Sequence, residues 1–300
     1  MKEFLVQKSE DGMRLQRYME KVFSAMPQSV IYKSLRKKKV KVNGRRMTDG
    51  KHLLHTGDQI QMYISDDLFA DKKESYYWQQ LPPDVNVVYE DAHILLLNKP
   101  SGLLSQSETE DSLEGRMRAY LLKKREIAAD GPYIFLPSLC HRIDRNTEGL
   151  VLAAKDVQSL KILGQKIREK EIRKFYLCCL EHCPKVREGI LSGYIKKDPR
   201  GQKMQFAKDK TPGSVYCETR YKAWSDPDGN WAEAELLTGR THQIRASFAA
   251  VGCPLKGDVK YGAKPDGKRE YQHLRAYKLI FSFASDGGML SYLDGRIFEI

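Results

Sequence analysis

The run His141-Arg142-Ile143-Asp144-Arg145-Asn146-Thr147-Glu148-Gly149-Leu150 sets one carboxylate among charged, polar and glycine residues, and it empties directly into the apolar segment Val151-Leu152-Ala153-Ala154. Asp144 is the first candidate for chemistry. Against it stands a plainer reading, in which a loop Asp uses its side chain to hold nearby backbone amides in a turn or cap. Similar short apolar runs recur at Ile94-Leu95-Leu96-Leu97, Phe175 to Leu180 and Ala232 to Leu237, alternating irregularly with helical patterns. That alternation predicts an α+β unit: a mixed, mainly antiparallel sheet with helices packed on it. One of the helices is announced by Asp156 as its cap, followed by Val157, Leu160, Leu163 and Ile167 at helical spacing to Lys170.

A chain of 300 residues with 41% hydrophobic content can bury a substantial core. Its 51 Lys and Arg against 39 Asp and Glu give a formal charge of +12, which points to a polyanionic partner. The excess is uneven. Residues 1–65 hold 14 basic and 6 acidic side chains, so +8 of the charge lies in about a fifth of the chain. The six cysteines form no C-x-x-C pair and read as reduced thiols, with no metal site implied. The start Met1-Lys2-Glu3-Phe4-Leu5 lacks a long apolar segment, and no stretch is long enough to span a membrane, so a cytoplasmic, monomeric protein is expected.

In the basic N-terminal part, Leu15, Met19 and Val22 mark one amphipathic helix and, after Pro27, Ile31 and Leu35 mark a second whose outer face carries Lys33, Arg36 and Lys37. The period then falls to two: Val40 and Val42 alternate with Lys39 and Lys41 and run into the hairpin signal Asn43-Gly44. Ile60, Met62 and Ile64 alternate again after Gly57-Asp58. Arg14-Leu15, Val40-Lys41-Val42-Asn43-Gly44 and Gly57-Asp58 occur in the order seen in the RNA-binding module of ribosomal protein S-four, which residues 1–65 therefore resemble. The consecutive cations Arg36-Lys37-Lys38-Lys39 repel one another, and a phosphate backbone would relieve that repulsion. Arg14, Lys33, Arg36, Lys37, Lys38 and Lys39 are the candidate RNA contacts here, the alternative being a solvated face. Residues 66–84, polar and ending near Pro82-Pro83, read as a linker to a second domain at 85–300.

Within that second domain, three segments are unusually polar for strand ends: the Asp144 run, Arg173-Lys174-Phe175-Tyr176, and Thr238-Gly239-Arg240-Thr241-His242-Gln243-Ile244-Arg245. An Asp beside an Arg is held ionised, because a cation within a few ångström lowers a carboxylate pKa by roughly 1–3 units. No second catalytic carboxylate, nucleophile elbow or phosphate loop is evident.

These motifs resemble the RluA-type pseudouridine synthases. His141 to Leu150 corresponds to the family's His-Arg-Leu-Asp-x-x-Thr-Ser-Gly-Leu, Asn98-Lys99-Pro100-Ser101-Gly102-Leu103 to its Asn-Lys-Pro-x-Gly-Leu, Lys174-Phe175-Tyr176 to its Lys-x-Tyr, and Thr238 to Arg245 to its Thr-Gly-Arg-x-His-Gln-Ile-Arg. Gly252, Pro254, Gly257-Asp258 and Tyr261-Gly262 continue the match, which spans about residues 85–282. Glu148 departs from the usual Ser, as in the RsuA type; Arg275 stands where His is typical and Gln106 near a position often held by His.

The resemblance implies an RNA isomerase with no cofactor, since breaking and remaking a glycosidic bond is redox-neutral. It implies Asp144 as the catalytic carboxylate, attacking the ribose anomeric carbon or carbon six of uracil. Arg245 would pair with it, and Tyr176 would stack on the base or help remove a proton. Arg142 would line the mouth of the site, and Lys174, Arg240 and His242 would contact RNA or orient the loop. Large-subunit ribosomal RNA is the expected substrate, with transfer RNA or a non-catalytic RNA-binding role as the alternatives.

Overall fold

The computed structural model describes residues 1–22, 28–63, 76–129, 133–199, 203–267 and 271–300. Pro27, Ile64 and the acidic half of the expected linker lie outside them. The N-terminal part is a four-stranded sheet, β1 (Lys2–Leu5), β2 (Val40–Val42), β3 (Arg45–Arg46) and β4 (Gln59–Met62), in the order β1-β4-β2-β3, with α1 (Leu15–Val22) and α2 (Gln28–Arg36). Leu15, Met19, Ile31, Leu35, Val40, Val42, Ile60 and Met62 are all buried in one cluster, as their periods of 3.6 and two require. Asn43 and Gly44 both have positive φ, the geometry that a two-residue hairpin needs. β1 is not announced by the sequence: its four residues alternate half-buried and exposed at a sheet edge, leaving little apolar signal.

The remaining strands form one eleven-stranded sheet. In chain order they are β5 (Val87–Glu90), β6 (Ile94–Lys99), β7 (Ser138–Leu139), β8 (Glu148–Ala154), β9 (Ile172–Leu180), β10 (Glu188–Lys197), β11 (Met204–Ala207), β12 (Val215–Asp226), β13 (Gly229–Leu236), β14 (Leu274–Phe281) and β15 (Ile297–Glu299). The main path is β11-β10-β12-β13-β9-β14-β8-β6-β5, with β15 on β14 and β7 on β8. Every pairing is antiparallel except β8 with β14, so the expected mixed, mainly antiparallel sheet is present.

β6 and β8 are apolar at consecutive positions because both of their faces are covered. Leu95, Leu97, Val151 and Ala153 face a core shared with α3 (Leu113–Lys123) and with Phe248 of α5 (Gln243–Ala250). Ile94, Leu96, Leu150, Leu152 and Ala154 face the opposite core, where Leu163 of α4 (Val157–Arg168), Leu290, Leu293 and Phe298 complete the packing. Each fully buried Leu or Ile contributes about 1.5–3 kcal/mol, so both layers hold the strand that leads out of the Asp144 loop. Asp156 caps α4 by accepting from the Ser159 amide at 2.7 Å.

The stretch read as a linker is structured at its far end. Tyr77–Gln80 forms a 3-10 turn and Trp78 is buried beside Leu113 and Met117, because an aromatic ring of that size is covered wherever apolar surface is within reach. The N-terminal core also takes in Ile134 and Val157 from the larger part, and Lys161 of α4 donates to the Gly12 carbonyl. The two parts therefore share a packed interface.

Candidate active site

Asp144 lies in the loop between β7 and β8, and that loop is fastened from beneath by residues 99–105. The Lys99 ammonium, fully buried, donates to the carbonyls of Pro100, Leu103 and Arg145 at 2.8, 2.7 and 2.7 Å, which uses all three of its protons. Burial draws its pKa down to about 8, against the opposing pull of Asp144 and Glu148. Ser105 accepts from the Ile143 amide and donates to the Ile143 carbonyl, Ser101 donates to the Asn146 carbonyl, and the Gly102 amide donates to the Arg145 carbonyl. The loop backbone is thus satisfied without help from the Asp144 carboxylate.

That carboxylate is spent on none of its neighbours in sequence. Its polar contacts among the described residues are Arg245 Nη1 at 3.5 Å and His242 Nε2 at 3.8 Å, and its side chain is 25% exposed. A turn-former would have its oxygens on local amides; the Asp144 turn closes instead through a backbone bond from the Thr147 amide to the Asp144 carbonyl.

Arg245 is set by α5, the helix that follows β13. Its tightest partner is Asp258, with Nε and Nη2 donating to the two carboxylate oxygens at 2.7 Å each, and its guanidinium stacks over the Tyr261 ring. Burial lowers the guanidinium pKa, and the bonds and charge of Asp258 more than offset it, so Arg245 stays cationic. The expected Asp144–Arg245 pair therefore exists as the looser side of a three-member array. His242 precedes the helix with φ 54°, in the left-handed region, and its Nδ1 is 2.9 Å from the Tyr261 hydroxyl. That hydroxyl oxygen already accepts from the Met204 amide at 2.8 Å. Its own proton is free for Nδ1, which leaves the Nε2 proton facing Asp144. Burial, opposed in part by Asp144, lowers the His242 pKa.

Gln243 folds the rest of the loop. It accepts from the Thr238 hydroxyl and the Arg240 amide and donates to Glu218 and Thr219 of β12.

A cleft of about 560 Å³ brings together Asp144, Tyr176, Arg245, Arg142, Lys174, Arg240 and His242. Tyr176 is buried on β9, and burial followed by the Asp144 charge raises its phenol pKa, keeping it protonated. Arg142 and Arg240 are exposed at the rim, and Arg240 Nε donates to the Tyr216 carbonyl. Arg14, Lys33, Arg36, Lys37, Lys38 and Lys39 are not part of this cleft. They are exposed on the N-terminal part.

Lys99, Asp258 and Tyr261 enter the sequence reading only inside matched motifs, with no role given to them. That a buried Arg needs an anion is the physical hint for Asp258, but its partner is set by packing and not by spacing.

Comparison with known proteins agrees with this geometry. The family model described as RNA pseudouridylate synthase matches residues 93–250, just over half of the chain. An RNA pseudouridine synthase of Mycoplasma capricolum is 30% identical over 299 residues, covering 99% of this chain and 96% of that protein. The ribosomal large subunit pseudouridine synthase C of Escherichia coli (strain K12) is 31% identical over 267 residues, covering 84% and 77%. Among solved structures, human RNA pseudouridylate synthase domain containing 4 shares the fold, with a TM-score of 0.53 at 21% identity over 65% of this chain and 84% of that one. The chain belongs to the RNA pseudouridylate synthase family. It is an RNA pseudouridine synthase, an isomerase.

Proposed function

We propose that the isomerase acts on large-subunit ribosomal RNA, with Asp144 as its nucleophile. The observation that carries the catalytic assignment is the state of that carboxylate: partly exposed in a cleft, unused by its own loop, and 3.5 Å from a buried, permanently charged Arg245. In pseudouridine formation the bond from the anomeric carbon to uracil N1 breaks, the base turns, a bond forms to uracil C5, and the C5 proton leaves. Attack at the anomeric carbon and attack at carbon six both begin from a carboxylate oxygen, and Arg245 Nη1 and His242 Nε2 stand 3.5 and 3.8 Å from Asp144 Oδ2.

A uridine must leave its stack to reach a recessed Asp, and Tyr176 offers a face for it to pack on. The raised pKa of the phenol favours this packing role over that of a base. Arg142, exposed on the cleft lining, fills the space the uridine vacates in this reading.

The substrate assignment rests on relatives of Escherichia coli and Vibrio cholerae named for the ribosomal large subunit. It is supported by the N-terminal part, which we read as an S-four-like RNA grip at 1–65: Lys33 and Arg36 to Lys39 are exposed on it with no carboxylate partner among the described residues. The test is Asp144→Asn on an unmodified large-subunit ribosomal RNA transcript, scored by pseudouridine mapping. Product at the wild-type rate would overturn the nucleophile, and wild-type enzyme that modifies transfer RNA alone would overturn the substrate.

A further inference from the structure

The cleft does not end at the catalytic carboxylate. Past Lys174 it continues over the start of β9 to the last turn of α4, lined there by Ile167, Arg168, Lys170, Ile172 and Arg173. Asp144, Tyr176 and Arg245 account for one flipped uridine and leave this arm unexplained.

Its chemistry is that of an anion site. Arg173 is neutralised by Glu235 at 2.6 Å, but Arg168, Lys170 and Lys174 have no carboxylate partner among the described residues. Lys174 is largely covered, so it holds a charge away from water without an anion beside it. His141, lining the same cleft, accepts from the Leu152 amide through Nε2 at 3.1 Å, which fixes the proton on Nδ1. That Nδ1 is buried and has no hydrogen-bond partner. Three uncompensated cations along one arm of the cleft call for an anion.

The backbone at Lys170 adds an independent mark. α4 ends in a Schellman turn: the Lys170 amide bonds to the Ile167 carbonyl, the Glu171 amide bonds to the Lys166 carbonyl, and Lys170 takes φ 63°. Glycine is the unstrained choice at such a position. α2 and α3 end in the same way, with Lys38 at φ 56° and Arg125 at φ 63°. A cation there gains from the helix dipole, which explains the type in general. Of the three, Lys170 alone lines the cleft.

We infer that this arm is a phosphate subsite, in which Arg168, Lys170 and Lys174 take backbone phosphates of the RNA flanking the flipped uridine. The inference rests on the reading of Asp144 as the point where that uridine sits. The strand then leaves the catalytic end of the cleft along β9 and passes over the α4 terminus, where its charge compensates the cations.

The experiment compares Arg168→Ala/Lys170→Gly with Arg125→Gly by fluorescence anisotropy on an unmodified large-subunit ribosomal RNA fragment, titrated across salt concentrations. Arg125→Gly makes the same left-handed Gly replacement and removes a cation outside the cleft. The expected result is a Kd about tenfold weaker for the double variant and a log–log salt slope shallower by about 1.4, that is ~0.7 for each lost phosphate contact. Arg125→Gly keeps the wild-type slope. The double variant melts at or above the wild-type temperature, because the strained Lys170 side chain is gone and Ala is a good helix former at the exposed position 168, so weaker binding does not come from misfolding. A double variant with the same slope as Arg125→Gly overturns the subsite. Anisotropy reads bound RNA and not product, so an Asp144→Asn protein that still made pseudouridine would sink the catalytic reading and leave this measurement to stand or fall separately.

Discussion

Replacing Asp258 by Asn isolates the contact that aims Arg245. In the native protein Asp258 holds the guanidinium through two 2.7 Å charge-assisted bonds, with the side chains of Arg245 and Asp258 only 8% and 1% exposed. Removing one partner of a buried ion pair costs about 3–5 kcal/mol, since the other charge is left in a poorly solvated place. Asn retains the volume and one acceptor, but its amide protons meet the guanidinium protons, so a loss near the lower end, about 3 kcal/mol, follows.

At roughly 2–4 °C per kcal/mol for a chain of this class, the melting temperature falls by roughly 6–12 °C. Catalysis suffers by a different route. A guanidinium released from Asp258 closes the 3.5 Å gap to Asp144 and binds the proposed nucleophile too tightly, lowering kcat more than it raises KM. Asp144→Asn makes the contrast, because its looser and partly exposed contact is worth under about 1 kcal/mol in stability while its turnover is lost. The assays are calorimetric melting and steady-state pseudouridine formation. An Asp258→Asn enzyme that melts within 2 °C of wild type and keeps its kcat (limits set by the ~3 kcal/mol above) would refute the clamp.

Three further outcomes are expected. His141, whose pKa burial draws from 6.5 down to about 3, takes up a proton on unfolding between those values, so its contribution to stability is complete above pH 6.5 and is lost as the pH falls. Denaturant titrations across that window should show a steeper acid slope, by up to ~1.4 kcal/mol per pH unit, in wild type than in His141→Gln; equal slopes would mean the ring is not buried neutral. Gly149→Ala would place a Cβ 2.1 Å from the Ala276 carbonyl oxygen at φ 118°, so the β8–β14 seam should open and cooperative melting should vanish, whereas Gly213→Ala, with open space around it, should melt within a few degrees of wild type. Changing Lys37, Lys38 and Lys39 together to Ala should weaken RNA binding and flatten its salt dependence; an unchanged slope would take this cluster off the RNA path.

Where a residue's surroundings are local, the sequence carries them. Asn43-Gly44, Asp156 and the alternation of Val40 and Val42 each act within a few residues, and each is found as read. The cleft was approached through three polar segments, and Asp144, Tyr176, Arg245, Arg142, Lys174, Arg240 and His242 do line one cavity. What stayed illegible is long-range. Asp258 belongs to Arg245 through the packing of α5 against the turn after it, and Lys99 supports Arg145 across 46 positions. Neither relation leaves a period or spacing behind. Trp78 shows the converse error: a polar, Pro-flanked stretch resembles a linker until a neighbouring core covers its one large aromatic ring.

β14 lies between β9 and β8 and is almost the last strand in the chain. As the polypeptide is made, the β5-β6-β8 ribbon carrying Asp144 and the β9–β13 ribbon carrying Tyr176 can each form early, but nothing joins them side by side. About 120 residues separate the end of β8 from the start of β14, roughly 6–24 s of synthesis at ~5–20 residues per second. During that interval the β8 edge next to Gly149 waits unpaired, a template for wrong strands. A transcript cut short before Leu274 would yield a protein with Asp144 present and its cleft unassembled. The closing of one late strand is therefore the act that turns two ribbons into an enzyme.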